Sequence, residues 1–179
     1  MSGAGALHAP SGGAVEVIVD DLAFVTAGAV ARPVDAMLRA TTPLLRRFEL
    51  AGGAALARQL RVTEPLAVGA AVVTGAGDLR AELLVHAVVS SDDEPVSRAG
   101  VRQALASALQ RAADFGVDHL ALPPFGLGAG NLAVEDSAEV MAEVIRRHLA
   151  SGRAPRRVTV VVEREAEAEA FIVYTGKAQ

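Results

Sequence analysis

A three-layer α/β/α sandwich with a mixed central sheet is the fold class predicted by this 179-residue chain. Three observations predict it. Short apolar runs alternate with longer amphipathic stretches along the chain, as strands and helices do when they take turns. Residues 83–89 are apolar almost without a break, the pattern of a strand covered on both faces. The composition is 51% hydrophobic and 21% charged, which is globular, and the length suffices for one sizeable core. Aromatic residues make up only 3%, so Ala, Val and Leu must build that core by close packing.

The elements follow in order. Residues 1–14 read as a flexible tail of Gly, Ser, Ala and Pro. Residues 15–20 form a first strand that ends in two acids, Asp20 and Asp21. Residues 27–32 form a second, and Pro33 is expected to end its pairing because it has no N–H. The 42–60 stretch is helical, opened by Pro43 and broken in two at Gly52-Gly53. Residues 68–74 and 83–89 are strands joined by the turn Gly75-Ala76-Gly77-Asp78. A polar loop at 90–94 leads to a helix at 97–115 with Val101, Leu105, Ala108, Leu109 and Ala112 on one face, capped by Gly116. Then come a short buried strand at 118–122, a glycine-rich loop at 123–131, a long helix at 134–150, a last strand at 157–162 and a helix at 165–173. A single domain over 15–175 with a C-terminal tail at 176–179 is the expected organisation.

Charge and composition narrow the function. The net charge is −4 and no basic stripe is visible, which argues against general nucleic-acid binding. With no cysteine there is no thiolate chemistry, disulfide or Cys-ligated metal. No run reaches the ~18 apolar residues of a membrane span, and the first residues lack a basic start and an apolar stretch. The expected location is cytoplasmic.

In a sheet of this kind, ligands bind beyond the carboxyl ends of the strands. The strongest signal there is Leu120-Ala-Leu-Pro-Pro-Phe-Gly-Leu-Gly-Ala-Gly-Asn131, which leaves a strand and opens toward a helix. Gly126, Gly128 and Gly130 permit positive φ and close backbone approach. Successive N–H groups can then converge on an anion, with the positive end of the next helix behind them. Asn131 offers a further amide donor. The plainer alternative is a tight turn without a ligand. No Lys-Ser or Lys-Thr follows, so this is not a P-loop, and it lies too late in the chain for a dinucleotide fingerprint.

With its surroundings the loop resembles that of the macro domain family, whose members bind ADP-ribose and related nucleotides. Four segments carry the resemblance in order. Val17-Ile-Val-Asp-Asp-Leu22 is similar to the family's opening strand. Val68-Gly-Ala-Ala-Val-Val-Thr74 and Leu83-Leu-Val-His-Ala-Val88 resemble its paired central strands. The loop is similar to a bacterial variant, and Glu135-Asp-Ser-Ala-Glu139 resembles the start of the penultimate helix. The resemblance implies that Asp21 accepts from an adenine amino group and that the Leu22 backbone lies near the ring. It implies that Gly126, Leu127, Gly128, Ala129, Gly130 and Asn131 hold the diphosphate. For Asp21 the plainer alternative is a solvated or capping acid.

The departures from the family pattern are equally definite. Where family hydrolases carry Asn-Ala-Ala-Asn, this chain reads Arg32-Pro-Val-Asp35. Asp35 is the only catalytic candidate: a carboxylate can accept from ribose hydroxyls or orient a water. Beside a pyrophosphate it adds repulsion, offset if Arg32 pairs with it. The simpler alternative is a surface ion pair between the two, or that neither reaches the pocket. In place of the family's first glycine loop stands Thr41-Thr-Pro-Leu-Leu-Arg-Arg-Phe-Glu49, bulk that is expected to narrow the distal-ribose end. Val162-Glu163 stands where an adenine-stacking aromatic is expected. Phe171 and Tyr174 are substitutes or core.

His8, His86, His119 and His148 have no metal-binding spacing; His86 reads as a core residue. No cofactor or metal is expected. Three functions follow, in order: a binding module for ADP-ribose or a related phosphate-bearing nucleotide; a degenerate domain acting through protein contacts, with self-association open; and an ADP-ribosyl hydrolase, against which the lost motifs count.

Overall fold

The computed structural model describes residues 6–8 and 13–176. The 1–5, 9–12 and 177–179 parts of the two expected tails lie outside them. One sheet of seven strands runs β1-β2-β7-β6-β3-β5-β4. The strands are β1 Ala6–His8, β2 Ala14–Val19, β3 Ala29–Asp35, β4 Ala71–Gly75, β5 Leu83–Ser90, β6 His119–Leu122 and β7 Arg157–Val162. The five from β2 to β5 in spatial order are parallel, and β1 and β4 close the two edges antiparallel. The sheet is therefore mixed.

The helices are α1 Pro43–Ala51, α2 Gly53–Gln59, α3 Arg98–Asp114, α4 Val134–Ala150 and α5 Glu165–Thr175. Side chains alternate across a strand, and that alternation divides the core in two. Val85, Ala87, Leu120, Leu122, Val158 and Val160 pack with Val101, Leu105, Met141, Ile145 and Phe171 of α3, α4 and α5. Leu84, Ala121, Val30 and Val161 face the other way and pack with Leu45, Phe48 and Leu56 of α1 and α2. Both faces are covered, which is why these strands read as continuous apolar runs. The single tyrosine and Phe171 belong to this packing, not to the cleft: Phe171 is fully buried and Tyr174 lies against the same cluster.

Local chemistry sets the helix starts. Thr42 accepts from the Leu45 N–H at 3.3 Å, with Pro43 in the first turn. Ser97 accepts from the Gly100 N–H at 3.0 Å. Each such cap is worth about 1 kcal/mol.

Three expectations are corrected. Pro33 does not end its strand, since β3 runs on to Asp35 with Pro33 opposite Ala87 of β5. The pairing of β3 with β6 is confined to Ala29 and Val30, so beyond them β3 has a neighbour on one flank only. That is the place in a sheet where a proline is tolerated. The strand expected from residue 68 starts at Ala71, because Gly69 takes a φ of +93° that no strand residue adopts. Within the stretch read as an N-terminal tail, Ala6–His8 pair with Ala14–Glu16, a three-residue strand too short to show a period.

Candidate functional site

The carboxyl ends of β2, β7, β6 and β3 lie side by side, and a cleft opens above them. One part is a cavity of about 310 Å³. Its walls are the start of α1 (Thr41, Thr42, Pro43, Leu44, Leu45, Arg47), the loop after β6 (Pro123, Pro124, Leu127), and the junction of β7 with α5 (Val161, Glu163, Arg164, Glu167), with Pro33 below. A second part, about 240 Å³, is lined by Val19, Asp20, Asp21, Leu44, Arg47 and Glu163. Leu44, Arg47 and Glu163 border both, so the two form one groove.

The glycine loop flanks this groove. Gly126, Gly128 and Gly130 have φ of +81°, +131° and +77°, the region that favours glycine. A Cβ on Gly126 would lie 2.8 Å from Val101 Cγ2. One on Gly128 would lie 3.1 Å from Asn131 Nδ2 and 3.5 Å from the Thr41 carbonyl. The loop holds itself in shape through Asn131 N–H to the Gly128 carbonyl at 3.1 Å and Leu132 N–H to the Gly126 carbonyl at 3.0 Å. Asn131 Nδ2 donates to the Leu127 carbonyl at 3.4 Å. The amides of Gly126, Leu127, Gly128, Ala129 and Gly130 donate to no protein group among the described residues. Below the loop, Phe125 is fully buried, and Ser137 Oγ of α4 donates to its carbonyl at 2.6 Å. The loop is thus anchored at its root and open at its tip.

The groove holds charge of both signs: Asp20, Asp21, Glu163 and Glu167 line it, against Arg47, Arg164 and two helix N-termini. The N-termini of α1 and α5 both border the larger cavity, and a helix N-terminus carries roughly half a positive charge. Leu44 lies in the first turn of α1 and borders both cavities. Two arginines stand at the rim. Arg47 pairs with Glu163 at 3.1 Å, both well exposed, a contact worth at most about 1 kcal/mol and easily exchanged for a phosphate. Glu167 instead closes the first turn of α5, accepting from the Glu163 N–H and from Arg164 Nη2 at 3.1 Å each.

The predicted site residues divide into two groups. Asp21 is at the groove, where its Oδ1 accepts from the Ala23 N–H at 2.9 Å and caps a 3₁₀ turn, Leu22–Phe24. Its Oδ2 takes no protein donor among the described residues. Leu22 is buried beneath it. Asp21 and, of the loop residues, Leu127 therefore line one groove, while Gly126, Gly128, Ala129, Gly130 and Asn131 are not among its lining residues. Arg32 and Asp35 do not join them. Arg32 is fully buried and pairs with Glu49, with no ion pair to Asp35. Asp35 lines a separate cavity with Met37, Arg39, Pro65 and Asp92. Its Oδ1 accepts from the Met37 and Arg39 N–H groups at 2.9 Å each, and its Oδ2 from Arg39 Nε at 2.7 Å. The physical reason is the register shift between Val34 and Asp35, after which the chain turns back on itself around this carboxylate.

Sequence reading set the Thr41–Glu49 segment and Val162-Glu163 beside the cleft but named none of Thr41, Thr42, Arg47 and Glu163 as a ligand-binding residue, and it missed Arg164. Glu163 and Arg164 follow a strand directly, so the rule applied to the loop after β6 reaches them too. Arg47 carried no local signal, because only the direction of α1 brings it over the sheet. Among the described residues no group of three or more potential ligands is placed to hold a metal, and no helix is long and apolar enough to cross a membrane.

Residues 36–141 match the family model described as Macro domain. An uncharacterized protein of Mycobacterium tuberculosis is 31% identical over 157 residues, 88% of this chain and 43% of that protein. The chain thus spans less than half the length of that mycobacterial relative. The macrodomain of Oceanobacillus iheyensis with ADP superposes with a TM-score of 0.86 at 15% identity, over 98% of this chain and 96% of that one. The Trypanosoma brucei macrodomain in complex with ADP-ribose superposes with a TM-score of 0.78 at 14% identity, over 88% and 67%.

Proposed function

The chain belongs to the macro domain family, and from that premise we propose that its groove binds ADP-ribose or a related nucleotide through the diphosphate. One observation carries the reading: the amides of residues 126–130 have no protein acceptor among the described residues, and Leu127 of that loop lines a groove flanked by two helix N-termini. Unpaired amides held in place by the fold suit an anion, because their ordering cost is met before it binds. Arg47 supplies the mobile positive charge and Asp21 an acceptor for an amino group at the far end. The groove lies at the lower end of the 300–1,000 Å³ usual for ligand pockets. The two superposed structures named above hold ADP and ADP-ribose, which supports the ligand class.

Hydrolysis is not part of the proposal. Asp35, the one carboxylate the sequence offered for it, borders another cavity with both oxygens engaged. The same placement leaves no partner at that position for a distal ribose. ADP and ADP-ribose are therefore expected to bind within about threefold of each other.

Calorimetric titration with ADP-ribose, ADP and AMP tests the proposal. Dissociation constants of about 1–100 μM for the two diphosphates, and weaker binding of AMP, are expected. Gly128→Glu, which puts bulk and like charge against the cradle, is expected to abolish them. Equal affinity in that variant, or no heat at ~1 mM ligand, refutes the placement and turns attention to protein contacts.

A further inference from the structure

A line of hydrogen bonds crosses the sheet beside the groove. Thr74 on β4 donates its hydroxyl proton to the Gly75 carbonyl at 2.9 Å. Its oxygen then accepts from His86 Nε2 at 2.8 Å. His86 Nδ1 accepts from Arg32 Nε at 2.9 Å, and since arginine only donates, the ring is the neutral Nε2–H form. The other end of the guanidinium donates to the Leu38 carbonyl at 3.2 Å and to Glu49 Oε2 at 2.7 Å. Burial, and then the Arg32 charge, push His86 down to about 3, so the ring remains an acceptor at ordinary pH. Arg32 is thereby held on three sides in one geometry.

Glu49 is the end of this line, and it stands on α1. That helix has nine residues, and Leu45 and Phe48 are its buried side chains. A helix so short is not stable by itself and takes its place from what it is tied to. Its first turns carry Thr42, Leu44 and Arg47, the wall that faces the glycine loop. Beside the packing of Leu45 and Phe48, two ion pairs among the described residues hold α1, the exposed Arg47–Glu163 and Arg32–Glu49, and only the second is anchored on a fully buried side chain, so where the wall stands depends on it most.

We propose that Arg32 is a positioning residue, which through Glu49 sets the height and roll of α1 against the glycine loop and so governs the affinity for an anionic ligand that it never touches. The inference rests on the groove being the ligand site, as proposed above. A part played in core stability alone predicts a lower melting temperature and an unchanged affinity in the folded protein. The two are separable.

The variants are Glu49→Gln, which keeps an acceptor for Arg32, and the double variant Arg32→Met with Glu49→Met. The double variant replaces the pair by apolar groups of like volume, an exchange that preserves folding far better than removing one partner. Each is titrated with ADP-ribose at 10 °C, folding being verified by circular dichroism, and amide exchange is followed in α1 and α4. Glu49→Gln is expected to stay within about threefold of the parent, and the double variant to bind about tenfold more weakly. The α1 amides are expected to exchange faster in the double variant, with those of α4 unchanged. A folded double variant with parental affinity and parental α1 exchange overturns the proposal. If the parent protein binds no ADP-ribose, the groove reading fails separately, and the exchange of α1 still decides whether Arg32 holds it.

Discussion

The buried His86 ring makes stability depend on pH with a calculable slope. In the folded chain the ring is fully buried, accepts from Arg32 and titrates at about 3; unfolded, it titrates near 6.5. The folded value is the lower one, so the unfolded chain binds the extra proton and acid favours unfolding. The contribution is complete above about pH 6.5 and is lost as the pH falls from there toward 3. The slope is about 1.4 kcal/mol per pH unit, so roughly 3 kcal/mol is lost by pH 4.5. That is a large part of the 5–15 kcal/mol typical of a domain. Urea unfolding midpoints at pH 7.5, 6.5, 5.5 and 4.5 measure it. The control is His86→Gln, whose amide can accept from Arg32 and donate to Thr74 without titrating. The parent is expected to lose about 3 kcal/mol more than the variant over this range. His119 and His148 are also lowered, mainly by burial, and cancel in the comparison because both proteins retain them. Parallel curves for the two proteins would refute the buried neutral ring and the direction of the hydrogen-bond line with it.

Two further outcomes are expected. Arg47→Ala should weaken binding of ADP by about tenfold, since a charge-assisted contact to phosphate is lost, while moving the urea midpoint by less than about 1 kcal/mol, its pairing with Glu163 being exposed. Asp35→Ala should cost about 1–2 kcal/mol, because three donors in the 35–39 turn lose their acceptor, and leave ADP affinity within about threefold. A collapse of affinity there would show that this carboxylate reaches the ligand after all.

Most of the elements, and the loop, were legible in the chain alone, the short β1 and the bounds of β3 and β4 excepted. Alternation with a period of 2 or 3.6 is a local property, so α4 and β7 were legible to the residue, and the three glycines declared a loop that only glycine can form. The order of the segments was enough to point to the family and so to the sheet's layers. Which side chains meet was settled only when the chain folded. Arg32 reads as a polar residue at the end of a strand, yet it is fully buried because Glu49, 17 residues on, and His86, 54 residues on, arrive to satisfy it. Asp35 stands three residues from Arg32 in the chain and in a different cavity, because a register shift and a turn separate them. A charge in a sequence has no known partner until distant segments are folded together. Burial and pairing are non-local quantities, and they assigned Arg32 to the frame of the groove instead of to its lining.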